Sequence, residues 1–304
     1  MIVAVTGATG FLGRYIVQQL AQGGHRCRCW YRPGSDRSGF GAAEAAIDWV
    51  AGSLEAHETF GGFCRGVDAV VHSALFRPDG LGFRAAGQEA FGEFVRLNLI
   101  GSLSLMHAAR QAGVPRFVFI STCAVHEEIL DDRPLDETHP LWPKTHYGAH
   151  KAAIEKFIHA WGLGEGWPIC ALRPTGIYGL ATPPQRSRWF NIVRLVCRGE
   201  SFSSDRGGKE VHAADVVRAV NILLGAPEDQ IRGQAFNCYG LYVAEKTVAE
   251  MAKEISGSRA KVGGDPHGPK HQIDTEKICR LGMRFGGEPL LHQTIEQLIA
   301  ADGL

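Results

Sequence analysis

The chain has 304 residues, of which 45% are hydrophobic and 21% are charged, with 32 basic residues against 32 acidic residues. This composition is ordinary for a globular protein, and the balanced charge gives no field that would favour nucleic acid or an anionic membrane as a partner. No apolar run approaches the roughly 18–20 residues that a membrane span requires, and the N-terminus lacks the basic leader of a signal peptide.

Short β-branched runs alternate with helical patterns along the first 173 residues. In chain order, the patterns predict strands at 2–5, 26–31, 68–72, 116–120 and 169–172, and helices at 11–22, 95–112 and 147–161. Such alternation predicts an α/β fold with a doubly wound parallel sheet and helices on both faces. Beyond this point the pattern loosens into a loop at 176–190, a helix at 211–224, a strand at 234–240, and helices at 246–255 and 290–301.

The cysteines and histidines indicate neither a disulfide framework nor a metal site. The eight cysteines are scattered, and no pair forms C-x-x-C, so we expect reduced thiols in a cytoplasmic protein. His146 and His150 have the i, i+4 spacing of metal ligands, but neither H-E-x-x-H nor a cysteine partner accompanies them. We therefore expect no metal.

A glycine-rich turn, TGATGFLG, follows the first strand and precedes the first helix. Its spacing, G-x-x-G-x-x-G, is one residue longer than the dinucleotide fingerprint. Glycines at such a turn let the backbone approach a diphosphate, and the helix N-terminus offers N–H groups and a positive dipole end. The turn predicts dinucleotide binding on a Rossmann-type sheet; the alternative is a tight turn without a ligand. The predicted contacts are Gly7, Thr9, Gly10, Phe11, Leu12 and Gly13.

The end of the second strand bears on which dinucleotide binds. An acidic residue there would bind the ribose 2′-hydroxyl of NAD, but Tyr31 fills that place and Arg32 follows it. An arginine suits a 2′-phosphate through charge-assisted contacts. We therefore expect NADP or NAD, with NADP favoured by Arg32. The alternative is that Arg32 stacks on the adenine or lies in solvent.

Tyr147 and Lys151 lie four residues apart in YGAHK, at the start of a predicted helix. This spacing places both side chains on one helical face. Taken alone, Y-x-x-x-K occurs by chance in many proteins, and its other interpretation is a surface helix with a solvated lysine.

The glycine turn, the YGAHK motif and the βα order together resemble the extended short-chain dehydrogenase/reductase family, also called the NAD-dependent epimerase/dehydratase family. The segments GVDAVVHSAL, NLIGSLSLMHAARQAGVPRFVFISTCAV, LRPTGIYG and VHAADVVRAV resemble further family motifs in the same order, so the similarity covers nearly the whole chain. The resemblance implies further cofactor contacts from Ser53, Leu54, Ser73, Ala74, Asn98, Tyr147, Lys151, Pro174 and Ile177.

The resemblance also implies catalytic roles for Thr122, Tyr147 and Lys151. A neighbouring ammonium and an oxidised nicotinamide favour the phenolate of Tyr147, which can take a proton from a substrate hydroxyl or return it to a carbonyl. Lys151 resembles the lysine that holds the nicotinamide ribose, and the Thr122 hydroxyl can orient the substrate oxygen. Asn98 supports either a bound water or the helix geometry.

Two departures from the family pattern bear on the reaction. The dehydratases carry Asp-Glu after the catalytic threonine, but Cys123 and Ala124 stand there, so we expect no dehydration. Nucleotide-sugar enzymes often have asparagine at the place of Gly176, and the RP-x-GIYG form is more similar to the reductase and hydroxysteroid-dehydrogenase branches. Arg188, with neighbouring arginines, could bind a diphosphate-bearing substrate or could pack the second lobe. Thr122, Gly176 and Arg188 are the predicted substrate contacts.

The sequence therefore predicts an NAD(P)-dependent oxidoreductase that acts on a secondary alcohol or carbonyl of a small substrate. Two alternatives stay open: a nucleotide-sugar epimerase with tightly held NAD, and a regulator that senses NAD(P) without turnover. We predict a Rossmann domain from residues 1–173 and 205–239, and a substrate-binding lobe from residues 174–204 and 240–304. The resemblance implies a homodimer through the helices of Asn98 and Tyr147; the apolar residues Ile154, Phe157, Ile158 and Trp161 permit this or packing on the sheet.

Overall fold

The computed structural model describes residues 1–78 and 82–302. The chain forms two compact units. The first contains residues 1–174, 217–237 and 274–283, and the second contains residues 175–216, 238–273 and those from 284 onward.

Strands and helices alternate along the first unit, as the sequence predicts. In chain order the strands are β1 Ile2–Thr6, β2 Arg26–Tyr31, β3 Ile47–Ala51, β4 Ala69–His72, β5 Phe117–Ile120, β6 Ile169–Pro174, β7 Gly176–Tyr178, β8 Phe202–Ser203, β9 Gly207–His212, β10 Gln234–Cys238, β11 Leu241–Ala244 and β12 Val262–Gly263. The α-helices are α1 Phe11–Gln22, α2 Phe60–Cys64, α3 Phe83–Glu89, α4 Phe91–Phe94, α5 Ser102–Gln111, α6 His146–His159, α7 Phe190–Cys197, α8 Ala213–Gly225, α9 Glu228–Ile231, α10 Glu245–Ser256, α11 Glu276–Arg280 and α12 Gly287–Asp302.

Shorter helical turns join some of these elements. Two are π-helical, Val95–Gly101 before α5 and Ala160–Gly164 after α6. The 3₁₀ turns are Gly41–Ala46, His57–Thr59, Cys123–Val125 and Pro184–Arg186.

The first unit is built on a seven-stranded sheet of order β10-β6-β5-β4-β1-β2-β3. The pairs from β3 through β6 are parallel, which confirms the predicted doubly wound fold. The strand order reverses between β1 and β4, and ligands of such sheets bind beyond the carboxyl ends of the strands at that point. Buried β1 and β5 read as nearly continuous apolar runs because helices cover both faces.

The second unit has its own sheets and its own core. One sheet has the order β11-β9-β7, with β9 parallel to β7 and antiparallel to β11, and the other pairs β12 with β8. Aromatic and aliphatic side chains from β7, α7, α10 and α12 form the core. Within the described ranges, no helix combines the length and apolar content needed to cross a membrane.

Several boundaries differ from the predicted ones. The sequence did not predict β3, an edge strand whose residues are half-buried or exposed, or the short helix α2. The predicted helix at 211–224 is two elements, because the chain leaves β9 at His212 and enters α8 at Ala213. Residues 205–216 group with the second unit since β9 pairs with β7 and β11, and residues 274–283 group with the first.

Candidate active site

The glycine turn between β1 and α1 packs its backbone closer to neighbouring segments than a side chain would allow. Gly7 has φ +71°, and a Cβ there would lie 2.8 Å from the backbone nitrogen of Ala74. A Cβ at Gly13 would lie 2.7 Å from the carbonyl carbon of Gly7, so only glycine lets α1 pack this closely on the turn. No side chain caps α1 at Gly10, and the first N–H groups of the helix have no intrahelical partner. The turn therefore fits the diphosphate of a dinucleotide.

The end of β4 is bound tightly to the end of β1. The Ser73 hydroxyl donates to the Thr6 carbonyl at 2.7 Å, and the Ala74 N–H donates to the Thr6 hydroxyl at 3.2 Å. The ring of His72 lies between the hydroxyls of Thr6 and Ser102, with distances of 2.6 and 2.9 Å. Burial lowers the pKa of His72 to about 3, so the ring is neutral. Ser73 and Ala74 thus lie beside Gly7, where the sequence predicts a cofactor contact.

Asn98 supports the loop that follows β4. It is buried in the first π-helical turn, where its amide oxygen accepts from the Phe76 N–H at 2.7 Å and its NH₂ donates to the Phe76 carbonyl at 2.9 Å. Both ends of the amide are thereby used within the chain. These bonds hold the loop after β4 against the π-helical turn, and the cofactor contact of Asn98 stays a prediction.

Ser53 and Leu54 lie in the turn that follows β3. The Ser53 hydroxyl accepts from the backbone N–H of Glu55 at 3.4 Å, and Leu54 is buried. A Cβ at Gly101 would lie 3.1 Å from the Leu54 Cβ, so the first π-helical turn packs closely on this segment. Ser53 is half-buried just beyond the carboxyl end of an edge strand, where the resemblance implies a cofactor contact.

Two arginines follow β2. Arg32 is exposed, and the guanidinium of Arg37 lies 4.3 Å from the ring centre of Tyr31. The nearby acid, Asp36, already forms an ion pair with Arg14 at 3.2 Å. Positive charge therefore predominates at the end of this strand.

Arg14 is a buried residue that the sequence did not single out. Its Nε donates to the Thr9 carbonyl in the glycine turn at 3.3 Å, and its Nη1 donates to the Ser38 carbonyl at 2.5 Å. It thus ties the turn to the segment that follows β2. A lone arginine in the first turns of an apolar helix gave no distinguishing signal.

The carboxyl edge of the sheet brings the glycine turn and Thr122 to the same side of the first unit. Thr6, His72 and Phe119 are register partners across β1, β4 and β5. Neighbouring strands are about 4.8 Å apart, so Gly7 and Thr122 follow strands that lie about 10 Å apart. This edge is where ligands of open α/β sheets bind.

Thr122 and Tyr147 form the hydrogen-bonded pair at this edge. Helix α6 begins at His146, its first turn is capped by Thr145, and Gly148 lets that turn approach the 3₁₀ turn after β5. Tyr147 is half-buried as a residue, and its hydroxyl is hydrogen-bonded to the Thr122 side chain. Burial raises the pKa of Tyr147, and the bond with Thr122 opposes that rise only in part.

Lys151 points to the strand rather than to open solvent. Its Nζ donates to the Ile120 carbonyl at 2.7 Å and lies 4.3 Å from the ring centre of Phe119. Burial lowers the pKa of Lys151 to about 7, against the opposing charge of Glu155. Burial thus opposes the charged form of both side chains. That this ammonium and an oxidised nicotinamide together favour the Tyr147 phenolate stays a prediction.

A buried ion pair that the sequence did not single out lies behind the site. Glu155, one turn beyond Lys151 on α6, is fully buried and accepts from Arg173 Nη2 at 2.6 Å and Nε at 3.1 Å. The Ser121 hydroxyl donates to Glu155 Oε1 at 2.5 Å. Arg173 Nη1 lies 3.1 Å from Nε2 of His126, and burial lowers the pKa of that histidine to about 3. The i, i+4 spacing of Lys151 and Glu155 was the available signal.

Cys123 and Ala124 carry no acid into the site. The Cys123 thiol donates to the Arg173 carbonyl at 2.9 Å, and the Ala124 N–H donates to the Thr122 hydroxyl at 3.1 Å. The described residues contain no cluster of three or more His, Cys, Asp or Glu side chains that could hold a metal ion.

The remaining predicted residues divide between the two units. Pro174 ends β6 in the first unit, whereas Gly176 and Ile177 lie on β7 in the second. Arg188, also in the second unit, forms an ion pair with Glu210 at 2.5 Å. Arg188 therefore has an acidic partner inside its own unit.

Comparisons with known proteins agree with this architecture. The model of the NAD dependent epimerase/dehydratase family matches residues 3–238. A 4-hydroxy-2-methyl-3-oxo-4-farnesyl-3,4-dihydroquinoline-1-oxide ketoreductase from Stigmatella aurantiaca is 30% identical over 234 residues, which cover 68% of this chain and 66% of the relative. A dTDP-D-glucose 4,6-dehydratase from Mus musculus is 29% identical over 237 residues, which cover 72% and 63%. The matches thus span slightly less than two thirds of these relatives.

A solved structure is similar over the full length. The UDP-glucose-4-epimerase from Stenotrophomonas maltophila, with bound NAD and formylated UDP-arabinopyranose, superposes with a TM-score of 0.81 and 21% identity. The superposition covers 100% of this chain and 99% of that one. At this level of identity the similarity establishes the fold.

Proposed function

Because the chain belongs to the NAD-dependent epimerase/dehydratase family, we propose that it is an NAD(P)-dependent oxidoreductase that reduces a carbonyl, or oxidises a secondary alcohol, of a small molecule. The observation that carries this proposal is the Thr122–Tyr147 hydrogen bond at the carboxyl edge of the sheet. Tyr147 gives the site a phenolic proton, and the hydrogen bond with the Thr122 hydroxyl fixes the orientation of the phenol.

The proton on Tyr147 favours the reductive direction. Because burial raises the pKa of this phenol, the side chain stays protonated at neutral pH and can donate to a carbonyl oxygen. The nicotinamide, when bound, supplies or accepts the hydride. Thr122 orients the substrate oxygen, and Lys151, with a pKa of about 7, holds the nicotinamide ribose.

The contacts around Thr122 favour redox chemistry over dehydration. The related mouse protein is a dehydratase by name, but expulsion of water needs an acid and a base beside the reacting carbons. The Cys123 thiol is bonded to the Arg173 carbonyl, and Ala124 has no ionisable group. The related ketoreductase supports a carbonyl as the reacting group.

The proposal is tested with the purified protein and a panel of ketones, aldehydes, sugars, uronates and sterols. We expect cofactor-free protein that oxidises NADPH or NADH with at least one member of the panel. Protein that carries tightly bound NAD, detected by absorbance and mass, and interconverts nucleotide sugars without net redox change would instead establish the epimerase. A protein that binds the cofactor but turns over neither panel nor nucleotide sugars would support the regulator.

The cofactor is proposed to be NADP, bound with Arg32 and Arg37 near its 2′-phosphate. Replacing Arg32 with Asp should weaken NADPH binding by about tenfold or more, since a charge-assisted contact is replaced by a like-charge repulsion. The affinity for NADH should stay unchanged or increase. Fluorescence titration of both cofactors measures the change, with the exposed Arg259→Asp as the control. Unchanged affinities in Arg32→Asp would refute the preference.

The second unit is proposed to be the substrate-binding lobe. Its predicted contacts are Gly176 on β7 and Arg188, which precedes α7. Support comes from the family resemblance of the LRPTGIYG segment, which leads from β6 into β7. The reacting carbonyl is assigned to Thr122 and Tyr147 in the first unit.

A homodimer is proposed through the exposed apolar residues of the first π-helical turn and α6. Ile154 and Ile158 are fully buried in the core of the chain, so of the two roles left open for them they have the packing role and are not available to a partner. Phe157 and Ile100 are 48% and 47% exposed. Replacing Phe157 with Asp should therefore shift the protein from dimer to monomer in sedimentation velocity, whereas Phe157→Leu should not. A wild-type monomer at the same concentration would contradict the assignment.

The cysteines support a cytoplasmic location. All eight are free thiols, and five of them are buried. Reduced, buried thiols are typical of proteins from a reducing compartment.

A further inference from the structure

A buried carboxylate lies on the three-stranded sheet of the second unit. Glu210, in β9, is 1% exposed. One of its oxygens, Oε1, binds Arg188 Nη2 at 2.5 Å. The other, Oε2, has no hydrogen-bond partner in the part of the chain that the structure describes. The whole of its charge compensation therefore comes from one guanidinium.

Two glycines create the space that this carboxylate fills. Gly176 is the register partner of Glu210 on β7, and Gly208 lies two residues before it on the same face of β9. A Cβ at 176 would lie 2.9 Å from the carboxyl carbon of Glu210 and closer still to Oε2, and a Cβ at 208 would meet Oε1. An asparagine at 176, which the resemblance to nucleotide-sugar enzymes would suggest, would displace the Glu210 carboxylate from its present position.

The backbone beside Arg188 is held in an uncommon conformation. Trp189 has φ +65°, a left-handed value that side chains rarely adopt and that persists only where the surroundings enforce it. Its ring packs on Tyr178, and the Arg188 guanidinium lies 5.3 Å from the Trp189 ring centre. The left-handed residue thus lies directly beside the arginine that binds Glu210, and its ring packs against that arginine.

The pair leaves Arg188 poorly suited to bind an anion. Its side chain is 45% exposed, so a ligand can reach it, but its charge is already balanced. A phosphate that took the guanidinium would leave the Glu210 carboxylate buried without a partner, which is far more unfavourable than the loss of a surface pair. Arg188 is therefore no ready site for a diphosphate.

We propose that Glu210 is a specificity-determining residue, which neutralises Arg188 and so excludes nucleoside diphosphates from the second unit in favour of an uncharged substrate. This inference rests on the proposed function, whose substrate class it names. In this role Glu210 acts together with Gly176, whose lack of a side chain leaves space for the carboxylate.

The first test measures UDP-glucose binding by calorimetry near pH 8. Wild-type protein should bind this probe only weakly. The isosteric Glu210→Gln removes the negative charge and should strengthen binding by about tenfold or more, since a charge-assisted contact becomes available. The added substitution Arg188→Ala should abolish that gain. Tight binding by the wild type, or no gain in a folded Glu210→Gln protein, would overturn the inference.

The second test uses pH on the wild-type protein and does not depend on a variant that folds. Burial raises the pKa of Glu210 to about 7. Below that pH the carboxyl group is neutral and Arg188 is released, so UDP-glucose binding should tighten as the pH falls from 8 to 5.5. Besides Arg188, Tyr178 on β7 interacts electrostatically with Glu210. Asp215 on α8 also acts on Tyr178, and the ring of His212, two residues beyond Glu210 on β9, packs on that of Tyr178.

The Glu210→Gln protein separates the effect of Glu210 on binding from the effects of the other titratable groups. It should bind UDP-glucose with less pH dependence than the wild type over the same range, because it lacks the carboxyl group of Glu210 while Tyr178, Asp215 and His212 are common to both proteins. An equal pH dependence in both proteins would assign the effect to another group and overturn the inference.

These outcomes are independent of turnover. A protein that reduces no carbonyl, yet gains UDP-glucose affinity on loss of the Glu210 charge, would overturn the proposed function and keep the role of Glu210. A protein that reduces ketones and also binds UDP-glucose tightly at pH 8 would keep the proposed function and overturn the role of Glu210.

Discussion

Replacing Tyr147 with Phe is expected to lower kcat/KM for carbonyl reduction by about 10²–10⁴-fold, the usual contribution of a positioned proton donor. The substitution removes only the hydroxyl that is bonded to Thr122. The ring keeps its packing on His150, whose ring centre lies 5.5 Å away. Since the glycine turn is untouched, NADPH affinity should change by less than about twofold.

The measurement combines steady-state kinetics on the best ketone of the panel with a cofactor titration. Tyr239→Phe is the matched control, because it removes a phenol of the second unit whose bond to Gln272 is long, at 3.4 Å. Its kinetics should stay near wild type. Wild-type turnover in Tyr147→Phe would refute the proton-donor assignment, and a parallel loss of cofactor binding would point to a structural role instead.

The parts of this site that depend only on residues close together in the chain could be predicted from the sequence. The glycine turn is a local strand–turn–helix signal, and Tyr147 and Lys151 share a helical face by spacing alone. The fold followed from the alternation of apolar runs. The edge strand β3 gave too weak a signal because none of its residues is fully buried.

The parts that depend on packing could not be predicted. Lys151 Nζ binds the carbonyl of Ile120, 31 residues away, only because α6 lies over β5. The resulting burial lowers the lysine pKa, an effect that no spacing reveals. Arg188 likewise could bind a diphosphate or pack the second lobe by sequence alone, and its ion pair with Glu210, 22 residues away, depends on the fold.

Replacing Glu155 with Ala is expected to lower the free energy of unfolding by about 3–5 kcal/mol, the usual effect of breaking a buried ion pair. Arg173 is 1% exposed, and the substitution would leave its guanidinium without the carboxylate that binds two of its nitrogens. The Ser121 hydroxyl would also lose its acceptor. Denaturant unfolding at pH 7.5 measures the difference.

The control is the exposed i, i+4 pair of Glu228 and Arg232, with a distance of 3.2 Å. Glu228→Ala should lower the free energy of unfolding by less than about 1 kcal/mol. A similarly small decrease in the free energy of unfolding of Glu155→Ala would contradict the prediction that removing one partner of the buried ion pair is strongly destabilising.

The double variant Glu155→Leu, Arg173→Met asks why the chain keeps a buried ion pair at all. Replacing both partners with apolar residues of similar volume is often neutral or stabilising, so much of the lost stability should return. Lys151 lies one turn from Glu155 and takes part of its charge balance from that carboxylate. If the double variant is stable but its pH profile for reduction shifts relative to wild type, the pair is retained for the electrostatics of Lys151. An unchanged profile would assign it to packing alone.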